Sequence, residues 1–113
     1  MTFGQALKEL RRSKEVSQRE LANRVGVDFS YISKIENDRM SPPAADTIER
    51  ICEALNVSGD DLLAISGKVP SSIKEALGKS PEAIGFMREA SEMELSEEEW
   101  KHLKKELKQL RGD

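Results

Sequence analysis

A chain of 113 residues, 37% hydrophobic and 35% charged, has the length of one small domain with or without an appendage, polar yet globular. Its one cysteine excludes an internal disulfide, and with one histidine it leaves no Cys/His cluster for zinc, so no metal or cofactor is expected and a reducing, cytoplasmic setting is. The net charge of −3 hides an asymmetry: residues 1–40 carry eight basic against six acidic side chains, residues 41–67 one against five, and residues 68–113 nine against ten. A nucleic-acid face therefore has to lie within the first forty residues. The aliphatic run Leu62-Leu63-Ala64-Ile65 is far too short for a bilayer, so no membrane partner is expected.

Helix signals follow one another, and strand-like alternation is absent. Phe3, Ala6, Leu7 and Leu10 fall three and four apart, predicting a first helix over residues 2–13 with Arg11 and Arg12 at its cation-favouring end. Ser17-Gln18-Arg19-Glu20 has the capping-box pattern and opens a second helix over 18–25, with Leu21, Ala22 and Val25 inward and Gly26 as its stop. Asp28 is a cap for a third helix over 29–37, burying Ile32 and Ile35. Pro42-Pro43 interrupts the chain. A fourth helix over 45–55 buries Ile48, Ile51, Cys52 and Leu55. Ser58 caps a fifth over 59–66, closed by Gly67. Five short helices in this span predict an all-α bundle, residues 1–67, followed by a helical C-terminal segment, residues 68–113.

The helix–Gly turn–helix spacing over 18–37 is that of a helix-turn-helix unit. Leu7-Lys8-Glu9-Leu10-Arg11, Ser17-Gln18-Arg19-Glu20-Leu21-Ala22, Val25-Gly26-Val27, Tyr31-Ile32-Ser33-Lys34-Ile35-Glu36-Asn37 and Ile48-Glu49-Arg50-Ile51-Cys52-Glu53-Ala54-Leu55 carry a closer likeness. Over residues 3–66 the chain resembles the Xre/Cro-like family of phage-repressor DNA-binding domains. The resemblance implies a five-helix, lambda-repressor-like domain that places its third helix in the major groove of double-stranded DNA. The groove admits one helix, whose N-terminal side chains meet base edges. In this chain those are Phe29, Ser30, Ser33 and Lys34. Lys34 can donate to guanine, the serines can donate or accept, and Phe29 can pack on a thymine methyl or simply be a hydrophobic surface contact. Gln18 matches the family's phosphate-contacting glutamine at a helix N-terminus. Arg19, Tyr31, Asn37 and Arg39 are candidate phosphate contacts by position and chemistry, with Tyr31 equally readable as domain surface. Arg11 and Glu36 match a family ion pair that orients the reading helix. Three features depart from the pattern: acidic Asp28 near the phosphates, Asn37-Asp38 where a glycine is usual, and the longer Pro42-Pro43 approach to helix four.

Beyond Gly67, residues 72–77 are weakly helical, Ser80-Pro81-Glu82 opens a helix carrying Ala83, Phe86, Met87 and Ala90, and Ser96-Glu97-Glu98-Glu99 is a second capping box. Trp100, Leu103, Leu107 and Leu110 repeat at 3-4-3, the seam spacing of paired helices. With Phe86 and Met87 they predict a homodimer built by this segment; the intramolecular alternative folds them back on helices four and five. No acid–base constellation or phosphate-cradling loop points to an enzyme, and His102 sits on a solvated face. The expected function is a dimeric repressor of a palindromic operator. The alternatives are an antitoxin that binds DNA through the same domain and a toxin through the C-terminal helices, and a helical adaptor without DNA binding.

Overall fold

Apolar side chains spaced three and four apart along the first five helices converge on one core. The computed structural model describes residues 1–112, and all regular elements among them are helices. They are α1 (Phe3–Ser13), α2 (Gln18–Val25), α3 (Phe29–Glu36), α4 (Ala45–Ala54), α5 (Asp60–Ser66), α6 (Ser71–Gly78), α7 (Pro81–Met93) and α8 (Glu97–Arg111). Leu7, Leu21, Ile32, Ile35, Ile48, Ile51 and Cys52 are the fully buried centre, ringed by Phe3, Val16, Leu55, Leu62 and Leu63. Among the described residues, no helix is long and apolar enough to cross a membrane.

Local chemistry sets most helix ends. Ser17 Oγ accepts from the Glu20 N–H at 3.0 Å, but the Glu20 carboxylate pairs with Arg24, so only half of the expected capping box forms. Gly26 takes the left-handed φ of 85° that ends α2. Thr2 and Gln5 form a reciprocal capping box on α1 that the sequence reading did not single out. Asp28 stands at the N-cap of α3 with extended backbone, yet its side chain makes no capping bond, against expectation. The backbone carbonyl of Asp28 alone accepts, from the Tyr31 and Ile32 N–H groups. Gly59, not Ser58, is the N-cap of α5; Ser58 Oγ accepts from the Asp60 N–H one residue further out.

The turn after α3 falls on Asp38 alone. Asn37 stays at φ −94° and Asp38 takes φ 57°, a conformation unfavourable for most side chains. The carboxylate offsets that cost: it accepts from Thr2 Oγ1 at 2.7 Å and from the Gly4 N–H at 3.1 Å, tying the start of α1 to the end of α3.

The chain divides into two units, Met1–Lys74 and one beginning at Glu75. The division falls inside α6, later than the Gly67 boundary drawn from the sequence. Lys68 Nζ donates to the Pro42 and Pro43 carbonyl oxygens, each at 2.9 Å, and Ser71 donates through N–H and Oγ to Asp46. These bonds attach the segment after Gly67 to the start of α4. In the second unit, Ser80 caps α7 with Pro81 in its first turn, and Ser96 and Glu99 form the expected capping box on α8. Ala90 is the buried residue of α7.

Candidate DNA-binding surface

Helix α3 has two chemically distinct sides. Ile32, Ile35 and Glu36 are buried, while Phe29, Ser30 and Lys34 are exposed and Ser33 is half-buried. The left-handed Gly26 turn lets the chain double back so that α2 and α3 pack against each other.

A buried ion pair holds α3 in place. Arg11 Nε lies 2.6 Å from Glu36 Oε2 and Nη2 donates to Oε1 at 2.9 Å, while Nη1 donates to the Val16 carbonyl at 2.8 Å. The bidentate geometry satisfies both charges. The hydrogen bonds that Arg11 donates to Glu36 raise the guanidinium above its ordinary pKa, against the opposing effect of burial. Glu36 also accepts from Gln18 Nε2 at 2.9 Å. One carboxylate thus joins α1, α2 and α3. Gln18 spends an amide N–H on this network, so its side chain is held at the start of α2.

Lys8, Arg12, Ser17, Gln18, Arg19, Phe29, Ser33 and Asn37 surround a concave surface of about 500 Å³ between α1, the N-terminal end of α2 and one side of α3. Five of these belong to the sequence-derived candidates. Lys8 and Arg12 do not: sequence reasoning treated Arg12 only as a partner of the α1 dipole. The available signal was their four-residue spacing, which sets both on one side of α1 beside Arg11. The guanidinium of Arg19 lies over the Phe29 ring, 4.6 Å from its centroid. Asn37 Nδ2 donates to the Ser33 carbonyl at 2.9 Å and closes the last turn of α3.

Tyr31 and Arg39 lie elsewhere. Tyr31 is half-buried, packs against the core, and lines a separate hollow with Asp28, Thr47 and Arg50. Arg39 is exposed beyond the α3 turn, its N–H donating to the Lys34 carbonyl. Cys52 is buried, and burial with the nearby Glu49 charge pushes its thiol pKa up. His102 is exposed, Nε2 3.0 Å from Glu106 Oε1.

In the second unit, Phe86, Trp100, Leu103, Leu107 and Leu110 line one apolar groove of about 750 Å³, edged by Lys104 and Glu106. Leu107 and Leu110 are 59% and 83% exposed, so this unit leaves large apolar groups without cover of its own. Met87 is half-buried and is not part of the groove wall.

The helix-turn-helix family model matches residues 7–62, which span α2, α3 and α4 and parts of α1 and α5. Over 113 aligned positions the chain is 30% identical to the HTH-type transcriptional repressor RghR of Bacillus subtilis (strain 168), covering 93% of this chain and 82% of that protein. It spans 55% of the length of two other curated helix-turn-helix regulators it matches. Among solved structures, SinR, the master regulator for biofilm formation, in complex with DNA shares 37% identity over 55% of this chain and 98% of its own, with a TM-score of 0.52. A chain of the SinR–SinI protein complex matches 99% of this chain and 100% of its own, at 27% identity and a TM-score of 0.53. These relatives are transcription regulators. The chain belongs to the helix-turn-helix family of DNA-binding transcriptional regulators of the Xre/Cro type.

Proposed function

We propose that this regulator is a dimeric repressor that inserts α3 into the major groove of a palindromic operator. The observation that carries the reading is the polarity of α3: its inner side is locked by Ile32, Ile35 and the Glu36 network, and its outer side offers Ser30 and Lys34 to a ligand. Ser30, Ser33 and Lys34 contact base edges, since hydroxyl and ammonium groups match the donor and acceptor pattern of the groove. Lys8, Arg12 and Arg19, with the backbone N–H groups at the start of α2, contact phosphates. Asn37 and Arg39 flank the same strand, and Tyr31 takes a phosphate from the other side of α3. The similarity to SinR in complex with DNA supports this use of the fold. Repression is steric occlusion of polymerase and needs no chemistry.

Two recognition helices on half-sites one helical turn apart, about 34 Å, require a dimer. The apolar groove of the second unit, lined by Phe86, Trp100, Leu103, Leu107 and Leu110, is our proposed dimer contact, with Met87 beside it.

The first test is binding to duplexes selected from a random library, for the wild type, Lys34→Ala and Ser30→Ala, at two salt concentrations. Specific binding that weakens steeply with salt, and is further weakened roughly fivefold or more by each substitution, is expected for groove-reading side chains worth about 1–3 kcal/mol per contact. Binding that ignores both substitutions contradicts the assignment of α3 as reader.

A second reading has its own support: a protein partner on the same α7–α8 groove, as the full-length similarity to a chain of the SinR–SinI complex suggests. In a toxin–antitoxin pair that partner is a toxin. A partner encoded beside this chain that dissociates a homodimer on mixing favours it.

A further inference from the structure

We infer that Phe29 is a positioning residue for Arg19, holding its guanidinium over the DNA backbone, and does not itself read a thymine methyl. The inference rests on the DNA-binding reading above. Phe29 is the first residue of α3 and Arg19 the second of α2, so the stack bridges the N-terminal ends of two helices that frame the basic hollow. The guanidinium sits 4.6 Å from the ring centroid, within the range of a cation–π contact. A guanidinium stacked on a ring is engaged through its flat face, whereas its N–H donors radiate in its own plane. Stacking therefore leaves the donors free for phosphate oxygens. An exposed arginine otherwise loses much rotamer freedom on binding, and a ring that already restricts it lowers that cost.

The same contact accounts for an aromatic residue that is 40% exposed at the lip of a polar hollow. One face of the ring is occupied by Arg19, and a methyl reader would need the ring delivered to a base edge. Reading is thereby left to Ser30, Ser33 and Lys34.

The test uses the full chain and a duplex selected by the wild type from a random library. Affinity is measured for the wild type, Phe29→Ala, Phe29→Tyr, Arg19→Ala and the double variant Arg19→Ala/Phe29→Ala, and for the wild type on the same duplex with uracil in place of thymine. Phe29→Ala is expected to bind about two- to fivefold more weakly, the size of an exposed cation–π contact. That loss disappears in the Arg19→Ala background, and Phe29→Tyr restores binding. Arg19→Ala lowers the slope of log affinity against log salt by about 0.9, one phosphate contact. The uracil duplex binds like the thymine duplex. In the free protein, Arg19 side-chain protons show a ring-current shift that Phe29→Ala abolishes and Phe29→Tyr keeps.

A Phe29→Ala loss that persists in the Arg19→Ala background, or that the uracil duplex reproduces, overturns the inference in favour of methyl reading. No loss from Phe29→Ala, or no ring-current shift in the wild type, overturns it too. A wild type that selects no duplex sinks the DNA reading and this inference together, whereas normal binding without coupling between the two positions sinks this one alone.

Discussion

Glu36 shows how much one side chain organises. Its carboxylate is wholly buried, as is nearly all of Arg11, and it accepts from both Arg11 and Gln18. Two desolvated charges are tolerable only while each satisfies the other. Glu36→Ala leaves Arg11 buried without its counter-charge, and a loss of about 3–5 kcal/mol is expected. Urea unfolding followed by circular dichroism measures it. A loss below about 1 kcal/mol, the usual worth of an exposed pair, would show that the pair is solvated in solution. Because Gln18 loses its anchor in the same variant, the start of α2 loosens along with α3.

At the scale of elements, α1 and α3 meet through an absent side chain. A Cβ on Gly4 would lie 2.5 Å from the carbonyl oxygens of both Ile35 and Glu36, and these are backbone atoms that cannot turn aside. Gly26 is the opposite case: φ is 85°, but nothing lies within 4 Å of where a Cβ would be. Gly26→Ala therefore incurs only the left-handed penalty, about 1–2 kcal/mol. Gly4→Ala has to drive two helices apart, so its expected cost is larger, on the order of 2–3 kcal/mol for overpacking in a close contact. Thermal melts of the two variants should place Gly4→Ala below Gly26→Ala. The reverse order would mean that α1 shifts on α3 at little cost.

At the scale of the whole molecule, the second unit keeps an apolar groove open while the first has closed its core. Leu107→Asp puts a charge into that groove and changes no residue of the first unit. The wild type is expected to have the mass of a dimer by light scattering and Leu107→Asp that of a monomer. Operator affinity should fall at least tenfold with it, since half-sites linked by a dimer bind at high effective concentration. A wild type that is already monomeric would leave the groove to the intramolecular or partner reading.

The sequence alone determined the helical class, most residues of the core and most helix ends. These depend on spacing within a few residues: the 3-4 repeat of Leu7, Leu21, Ile32 and Ile48 with their neighbours, the hydroxyls of Ser17 and Ser96, the glycines at 26 and 67. The Arg11–Glu36 pair was legible only through family resemblance, because its partners stand 25 residues apart. Tertiary structure alone decided that Lys8 and Arg12 join Arg19 around one hollow, that Arg19 stacks on Phe29, and that Gln18 is tied to Glu36. It also decided that Asp38 ties the end of α3 to the start of α1 and that residues 68–74 belong with the first unit. All of these are contacts between side chains distant along the chain, and periodicity along the chain has no information about which distant groups a packed core brings together.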